Sequence, residues 1–417
     1  MRKNIQYNIL SFITMLMTFI FLLLLGQHFG MGKQTDTYFF SIMIIAYLNY
    51  FIQATWQAMH PYYIKIKVED SANISQLYSV LLNRIIFFSL IMIALYFLFT
   101  NTLIKLETTQ QNFLNIYIFY ILFQNILLFN KAILNLEKYF ASYYLVDIFI
   151  YGINILMIIF FLEDDLTLIA YSMIISSTFA LSWQFYLLFH KIDIKYHFQK
   201  QHQEIKTIFK NSILLKFSGL LYGSKEPLFA IIFLSFGDGL YSIFSYANKF
   251  ATAIFQITTT PTINRFNTNV HYSVAQKKYH EINNKIRAVL FQTVPIFILS
   301  SIFFYFLIPY SMPFFFKKVL STGEIKTMQL LFLYMSFFYL IIVLESPFTK
   351  TISIFKLFNY QLWVNAIFFI FICLIYLLYK TDLSFGYYSY LSIIILAQAI
   401  NYYLYQQKSK TYLQGKL

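Results

Sequence analysis

Seven ionisable side chains stand inside otherwise apolar runs of this chain: Arg84, Asp147, Lys216, Lys225, Glu226, Lys249 and Glu345. A charge in such a setting needs water, a counter-charge or a bound ion, so each is a candidate for binding or coupling chemistry. Arg84 and Lys216 fall within two turns of the ends of their runs, where a long side chain can snorkel to the polar surface. Glu345, beside Ser346 and Pro347, reads the same way. Asp147 lies deeper and fits either a cavity or a partnership with a basic residue. Lys225 and Lys249 fall near the middle of their runs.

Around Lys249, the residues Ser242, Ser245, Thr252, Gln256 and Thr260 recur at steps of three or four, which is one face of a helix. Such a stripe either hydrogen-bonds a neighbouring helix or lines a wet cavity, and the ammonium in its middle favours the cavity. A second stripe, Asn49, Gln53, Trp56 or Gln57, and His60, ends at Pro61, as the first ends at Pro261. Glu226 follows Lys225 directly, so about 100° separates them around a helix. Pro227 then interrupts the segment.

Catalytic chemistry finds no comparable foothold. His190, His197, His202, His271 and His280 lie outside the apolar runs, without the spacing of a metal site, and no phosphate-binding loop is present. No metal or organic cofactor is expected. Cys373 is the single cysteine and can form no internal disulfide.

Membrane helices must position these residues. The chain is 59% hydrophobic, 21% aromatic and 12% charged, against about 25% charged in soluble domains. A helix needs about 20 apolar residues to cross a bilayer. Such runs occur near 8–29, 38–60, 78–100, 112–136, 139–162 and 166–189, then near 211–235, 240–264, 288–310, 327–347, 357–379 and 384–405. Their continuity excludes a β-barrel, whose strands would alternate over about 10 residues. The first run follows Arg2 and Lys3, is longer than a signal-peptide core and lacks a small-residue cleavage site, so it reads as a retained helix.

Basic residues gather on alternate sides of these runs. One side holds Arg2, Lys3, Lys65, Lys67, Lys131 and Lys138, the lysines of 190–210, and Arg265, Lys277, Lys278, Lys285 and Arg287, with Lys350, Lys356, Lys408, Lys410 and Lys416. The other holds only Lys33, Lys105, Lys317, Lys318, Lys326 and Lys380, together with the acidic run Glu163, Asp164 and Asp165. The positive-inside rule puts the basic side, with both termini, in the cytoplasm. The net charge of +14 is thus topological, and no nucleic-acid partner is expected.

The tetrads Phe29-Gly30-Met31-Gly32 and Phe236-Gly237-Asp238-Gly239 each close one apolar run and open another, in matching places of the two halves. An internal repeat of this kind is a mark of transporters that rock two half-bodies about a central path. The expected organisation is an N-terminal six-helix bundle over 1–189, a basic linker over 190–210 and a C-terminal six-helix bundle over 211–417. The linker reads equally as a basic surface helix or a plain connection, and loops are expected to be longest there and at 265–287.

The stretch Gly30-Met31-Gly32-Lys33-Gln34-Thr35-Asp36-Thr37-Tyr38-Phe39-Phe40 running to Pro61, and its counterpart from Phe236 through Tyr246-Ala247-Asn248-Lys249 to Pro261, resemble the MOP flippase superfamily. Within it the chain is similar to the Wzx-type flippases of O-antigen and other polysaccharides. The resemblance implies an all-α integral membrane protein with about twelve transmembrane helices, in two pseudo-symmetric six-helix bundles around a central cavity. It implies transport of an undecaprenyl-pyrophosphate-linked oligosaccharide across the bacterial inner membrane, from the cytoplasmic to the periplasmic leaflet, with a polysaccharide polymerase as a partner. Lys225 and Lys249 would then offset the pyrophosphate charge, while Asn49, Gln53, Gln57, Ser245, Thr252 and Gln256 would meet sugar hydroxyls. Proton or sodium coupling is implied by the same analogy, through Asp147 or Glu226. Lipid II flippases share these motifs but typically carry two further C-terminal helices. Multidrug extruders usually carry an acid in the first helix, and 8–29 has none. A membrane glycan polymerase or ligase would be expected to have a large outer loop, whereas the longest here is 311–326.

Overall fold

The computed structural model describes residues 2–69, 73–103, 108–137, 139–161, 165–198, 205–275, 278–316, 320–355, 357–381 and 385–415. Among them there are fourteen α-helices and no strand: α1 (Arg2–Phe29), α2 (Lys33–Glu69), α3 (Ile74–Leu103), α4 (Thr108–Tyr117), α5 (Tyr120–Leu136), α6 (Phe140–Phe161), α7 (Thr167–Tyr186), α8 (Ile205–Gly223), α9 (Lys225–Ser235), α10 (Leu240–Ala275), α11 (His280–Phe315), α12 (Thr322–Ile354), α13 (Phe358–Thr381) and α14 (Tyr387–Gln414). A short π-helical stretch, Leu187–Lys191, continues α7. The turn at 118–119 separates α4 from α5, and Ser224 alone separates α8 from α9. Taken as interrupted rods, these pairs reduce the fourteen helices to the twelve expected spans. Eight rods meet a length and hydropathy criterion for crossing a bilayer. Helices α1, α2, α10 and α14 do not meet it; α1 holds only a shorter apolar stretch, Leu16–Phe29, and the other three are rich in polar residues.

Two compact units result, Met1–Lys216 and Phe217–Leu417. In the first, α1 packs on α6, α6 and α5 on α7, and α3 on α5. Hydrophobicity does not drive one helix onto another in hydrocarbon, so packing and interhelical hydrogen bonds must. Buried amides supply the latter. Asn49 Nδ2 donates to Gln124 Oε1 at 2.5 Å, Asn125 Nδ2 to Ser89 Oγ at 3.1 Å, and Asn154 Nδ2 to Ser176 Oγ at 3.0 Å. Tyr78 donates to Asn130 Oδ1 at 3.1 Å, which ties α3 to α5.

In the second unit α12 packs against α10, α11 and α14, and α13 packs against α14. Two expectations fail here. Segment 265–287 is not a long loop, because α10 runs to Ala275 and α11 starts at His280. Ile263, Phe266 and Val270 on one helix and Ile282, Ile286 and Val289 on the other are buried at helical spacing, in a cluster with Phe348, Ile352, Val364, Tyr405 and Leu413. That apolar face keeps both helices going beyond the span. Nor do the stripe-bearing helices end at proline: α2 continues past Pro61 to Glu69, and α10 past Pro261 to Ala275. A proline inside a helix removes one backbone bond and bends the axis, and packing further along can offset that. Beyond Pro61, Tyr63 donates to Glu137 Oε1 at 2.6 Å and Lys67 Nζ to Glu137 Oε2 at 2.5 Å. Within the first unit the chain over 192–198 is not helical.

The glycine tetrads are the turns between α1 and α2 and between α9 and α10. Gly30 caps α1 at φ 73° and its amide donates to Gly26 O at 3.0 Å; its own carbonyl accepts from the Thr35 hydroxyl at 2.5 Å. Gly239 holds φ 83° at the start of α10. A side chain in this left-handed region costs about 1–2 kcal/mol. Gly32 has no such strain, and no atom lies within 4 Å of where its Cβ would stand. Gly30→Ala is therefore expected to destabilise the protein by about 1 kcal/mol and Gly32→Ala to leave it unchanged, in paired thermal unfolding of the detergent-solubilised protein. Equal effects would remove the distinction.

Candidate functional site: a buried charge network in the second unit

The site is built around the break in the seventh rod. Pro227 has no N–H to offer the Gly223 carbonyl, so helical bonding fails one turn before it. Local side chains take up neighbouring carbonyls: Ser224 Oγ donates to Leu221 O at 2.7 Å, and Lys225 Nζ to Tyr222 O at 3.4 Å. Ser224 keeps helical dihedrals (φ −58°, ψ −18°) and its amide still donates to Leu220 O at 3.0 Å, so the interruption expected at Lys225-Glu226-Pro227 takes the form of a lost backbone bond and not of an unwound segment.

Lys225 is buried, its side chain 8% exposed. Its ammonium sits 3.6 Å from the centre of the Tyr222 ring and 3.9 Å from Glu226 Oε1. The network then crosses to other helices. Tyr222 donates to Gln398 Oε1 on α14 at 3.1 Å, and Gln398 Nε2 donates to Glu345 Oε2 on α12 at 2.6 Å. Glu345 is close enough to act electrostatically on Lys225, and Glu226 on Lys249. A second branch runs from Ser218 to Asn365 Nδ2 at 2.8 Å and from Asn365 Oδ1 to the Tyr405 hydroxyl at 3.4 Å. Asn401, one turn from Gln398, is fully buried, and neither of its amide atoms has a hydrogen-bond partner among the described residues. A charge kept out of water needs this kind of pairing and donor supply.

The polar stripe of α10 divides. Ser242 and Ser245 are buried. Thr252 Oγ1 lies 2.7 Å from the Tyr339 hydroxyl, which donates to Asn248 Oδ1 at 3.1 Å, so this part of the stripe bonds to α12. Lys249 and Gln256 are exposed. Lys249 therefore presents an accessible ammonium next to a buried network, which suits the capture of an anion. Thr260 has no described side chain.

The remaining candidates lie in the first unit. Asp147 Oδ1 accepts from Lys131 Nζ at 2.5 Å, with side-chain exposures of 29% and 7%, so the partner is a lysine of the neighbouring α5. Asn49 is buried and bonded to Gln124. Gln53, Gln57 and His60 lie on α2, but their side chains are outside the described residues. Lys225, Glu226 and Lys249 are thus brought together, and Asp147 belongs to a separate pair.

Glu345 corrects the expectation of a side chain at a membrane end. Helix α12 continues for more than two turns beyond it to Ile354, and it is only 8% exposed. Tyr222, Asn365, Gln398 and Asn401 were not singled out by sequence. The pattern Gln398, Asn401, Tyr405 at steps of three and four within an apolar run was the available signal.

No protein-family model matches the sequence, and no curated protein matches it. Solved structures do. A structure of the lipid II flippase MurJ in an inward closed conformation superposes with TM-score 0.77 at 16% identity, over 97% of this chain and 87% of that one. An inward-facing multidrug-resistance MATE family transporter of the MOP superfamily gives TM-score 0.76 at 12% identity, over 97% and 95%. A MOP superfamily transporter from Pyrococcus furiosus, described by the reverse polarity of its binding pocket, gives 0.71 at 14%, over 99% and 94%. The chain has the fold of the MOP superfamily transporters.

Removing one partner of a buried ion pair strands the other charge and costs about 3–5 kcal/mol, whereas replacing both by apolar groups is often neutral. Asp147→Asn is accordingly expected to lower stability by about 3 kcal/mol, and Lys131→Met combined with Asp147→Leu to restore most of it. Thermal unfolding of the purified variants checks this; an innocuous Asp147→Asn would show that the pair holds nothing together.

Proposed function

We propose that this protein is a flippase for an undecaprenyl-pyrophosphate-linked oligosaccharide, a unit of O-antigen, capsule or another surface polysaccharide. It moves its cargo from the cytoplasmic to the periplasmic leaflet of a bacterial inner membrane by ion-coupled alternating access. The observation that carries this reading is the accessible ammonium of Lys249, beside the buried network of Lys225, Glu226 and Glu345. A pyrophosphate cannot enter hydrocarbon unaided, and an ammonium at an interrupted helix supplies the compensating charge. A cationic drug would meet like charge at the same point.

Division of labour follows from exposure. Lys249 and Gln256 face the cargo, while Lys225 is held by Tyr222 and positions the interrupted helix. Asp147 and Glu226, together with Glu345, are the carboxylates that a coupling proton or sodium ion would address. The basic sides of the spans, with both termini, face the cytoplasm on this reading.

Lipid II transport is a second reading, favoured by the likeness of fold to the lipid II flippase; the two cargoes share the pyrophosphate and differ in the sugar. Deleting the gene separates them, since loss of surface glycan alone supports the polysaccharide cargo and loss of viability supports lipid II. Returning the gene as Lys249→Ala is expected to lower delivery of the glycan by about tenfold or more, the value of a charge-assisted bond, with the protein still in the membrane. Full delivery by that variant would overturn the role of Lys249.

A further inference from the structure

A second cationic site stands in the first unit. Lys216, near the end of α8, is buried with its ammonium 4.8 Å from the centre of the Phe209 ring and 5.9 Å from that of Phe88. The guanidinium of Arg84 on α3 lies 5.2 Å from the same Phe209 ring. Two cations thus share one aromatic side chain. Arg84 makes no hydrogen bond or ion pair among the described residues, so its planar set of donors is still on offer.

The setting locates this pair near the polar end of the helices. The non-helical segment before α8 is strapped to the first turns of α3: the Lys195 amide donates to Ser75 Oγ at 2.9 Å, the His197 amide to Ser79 Oγ at 2.9 Å, and the Tyr196 hydroxyl to Asn83 Oδ1 at 2.7 Å. The strap's described carboxylate, Asp193, faces Lys195 at 3.9 Å. Lys206 and Lys210 are exposed on the first turns of α8. Deeper along α3, Phe87 is 60% exposed and Leu90 50%, and on α8 Ile213, one turn before Lys216, is 47% exposed. On α3 a cation adjacent to the strap's contact at Asn83, with bare apolar side chains beneath it, matches the layout of a phospholipid: charged head above, acyl chains below.

We propose that Arg84 and Lys216 bind the phosphate of an anionic bilayer phospholipid, whose chains run along Phe87 and Leu90. Arginine suits the phosphate through its fork of donors, lysine adds a point charge, and the Phe209 ring holds both side chains in place. The proposal does not depend on the cargo, because it concerns the first unit and a resident lipid.

The test uses the full-length protein in nanodiscs of phosphatidylcholine, with or without phosphatidylglycerol, and native mass spectrometry of the lipid retained. Wild-type protein is expected to retain phosphatidylglycerol in preference to phosphatidylcholine. Arg84→Gln with Lys216→Gln should lower that preference by about thirtyfold, from the contribution of two basic groups near a membrane surface. Arg84→Lys with Lys216→Arg, which keeps both charges and guards against a folding defect, should retain most of it. Undiminished preference in the neutralised variant, or none in the wild type, overturns the proposal. So does preferential retention of undecaprenyl pyrophosphate over phosphatidylglycerol through Arg84 and Lys216, which would make the occupant a cargo lipid.

Discussion

Within hydrocarbon a helix must satisfy its own backbone, and a single missing N–H at Pro227 makes the seventh rod unable to do so. Much of the second unit's polar structure follows from that failure. The break at Ser224 places Lys225 where its ammonium can reach back to the Tyr222 carbonyl and ring. A buried ammonium then needs negative charge, supplied by Glu226 and, through space, Glu345. Glu345 in turn needs a donor, which is Gln398, and Gln398 needs one as well, which is the Tyr222 hydroxyl. The route therefore returns to the residue before the break and ties α8, α9, α12 and α14 together.

The first unit contains a break with a different origin. No proline stands at 118–119, and the chain passes from α4 to α5 through tighter bonds, Ile121 N to Ile118 O at 3.1 Å and Leu122 N to Phe119 O at 3.2 Å. Tyr117 and Tyr120 stack across it, ring centres 5.3 Å apart. The first unit pairs Lys131 with Asp147 and Lys67 with Glu137, and neutral amides tie many of its helices. The repeat announced by the tetrads is thus architectural rather than chemical. Even the tetrads differ: the first has one glycine at positive φ, Gly30, and the second has two, Gly237 at 139° and Gly239 at 83°.

The positions of the rods were legible in the sequence because a run of apolar residues leaves a helix little alternative in lipid. So was the interruption at Pro227, which rests on a missing donor. Helix extension beyond the membrane was not legible from hydropathy, since α10 and α11 continue through charged residues, and only the spacing of Phe266, Val270, Ile282 and Ile286 marks their buried faces. Glu345 reads in the sequence as snorkelling to a polar surface, whereas its side chain is buried and bonded to Gln398. Gln398 is marked only by its spacing from Asn401 and Tyr405, and Asn365 by no such pattern, because a single neutral amide within an apolar run says little by itself. Its meaning depends on which charge it meets across the bundle, and that is a tertiary fact.

With both carboxylates ionised, the described charges of the network balance: Lys225 and Lys249 against Glu226 and Glu345. On the proposed reading this balance has a consequence for coupling. A pyrophosphate brought to Lys249 adds negative charge to a region where low dielectric magnifies every imbalance. Glu226, which already acts on both lysines, then competes with the cargo for Lys249. Taking up a proton or a cation at a carboxylate relieves that competition, and releasing it restores the carboxylate's hold on the lysine. Cargo and coupling ion would favour each other's binding through Lys249 and Glu226 alone, by ordinary linkage. The buried bond from Gln398 to Glu345 then passes the change in charge to α12 and α14, elements whose packing defines the unit.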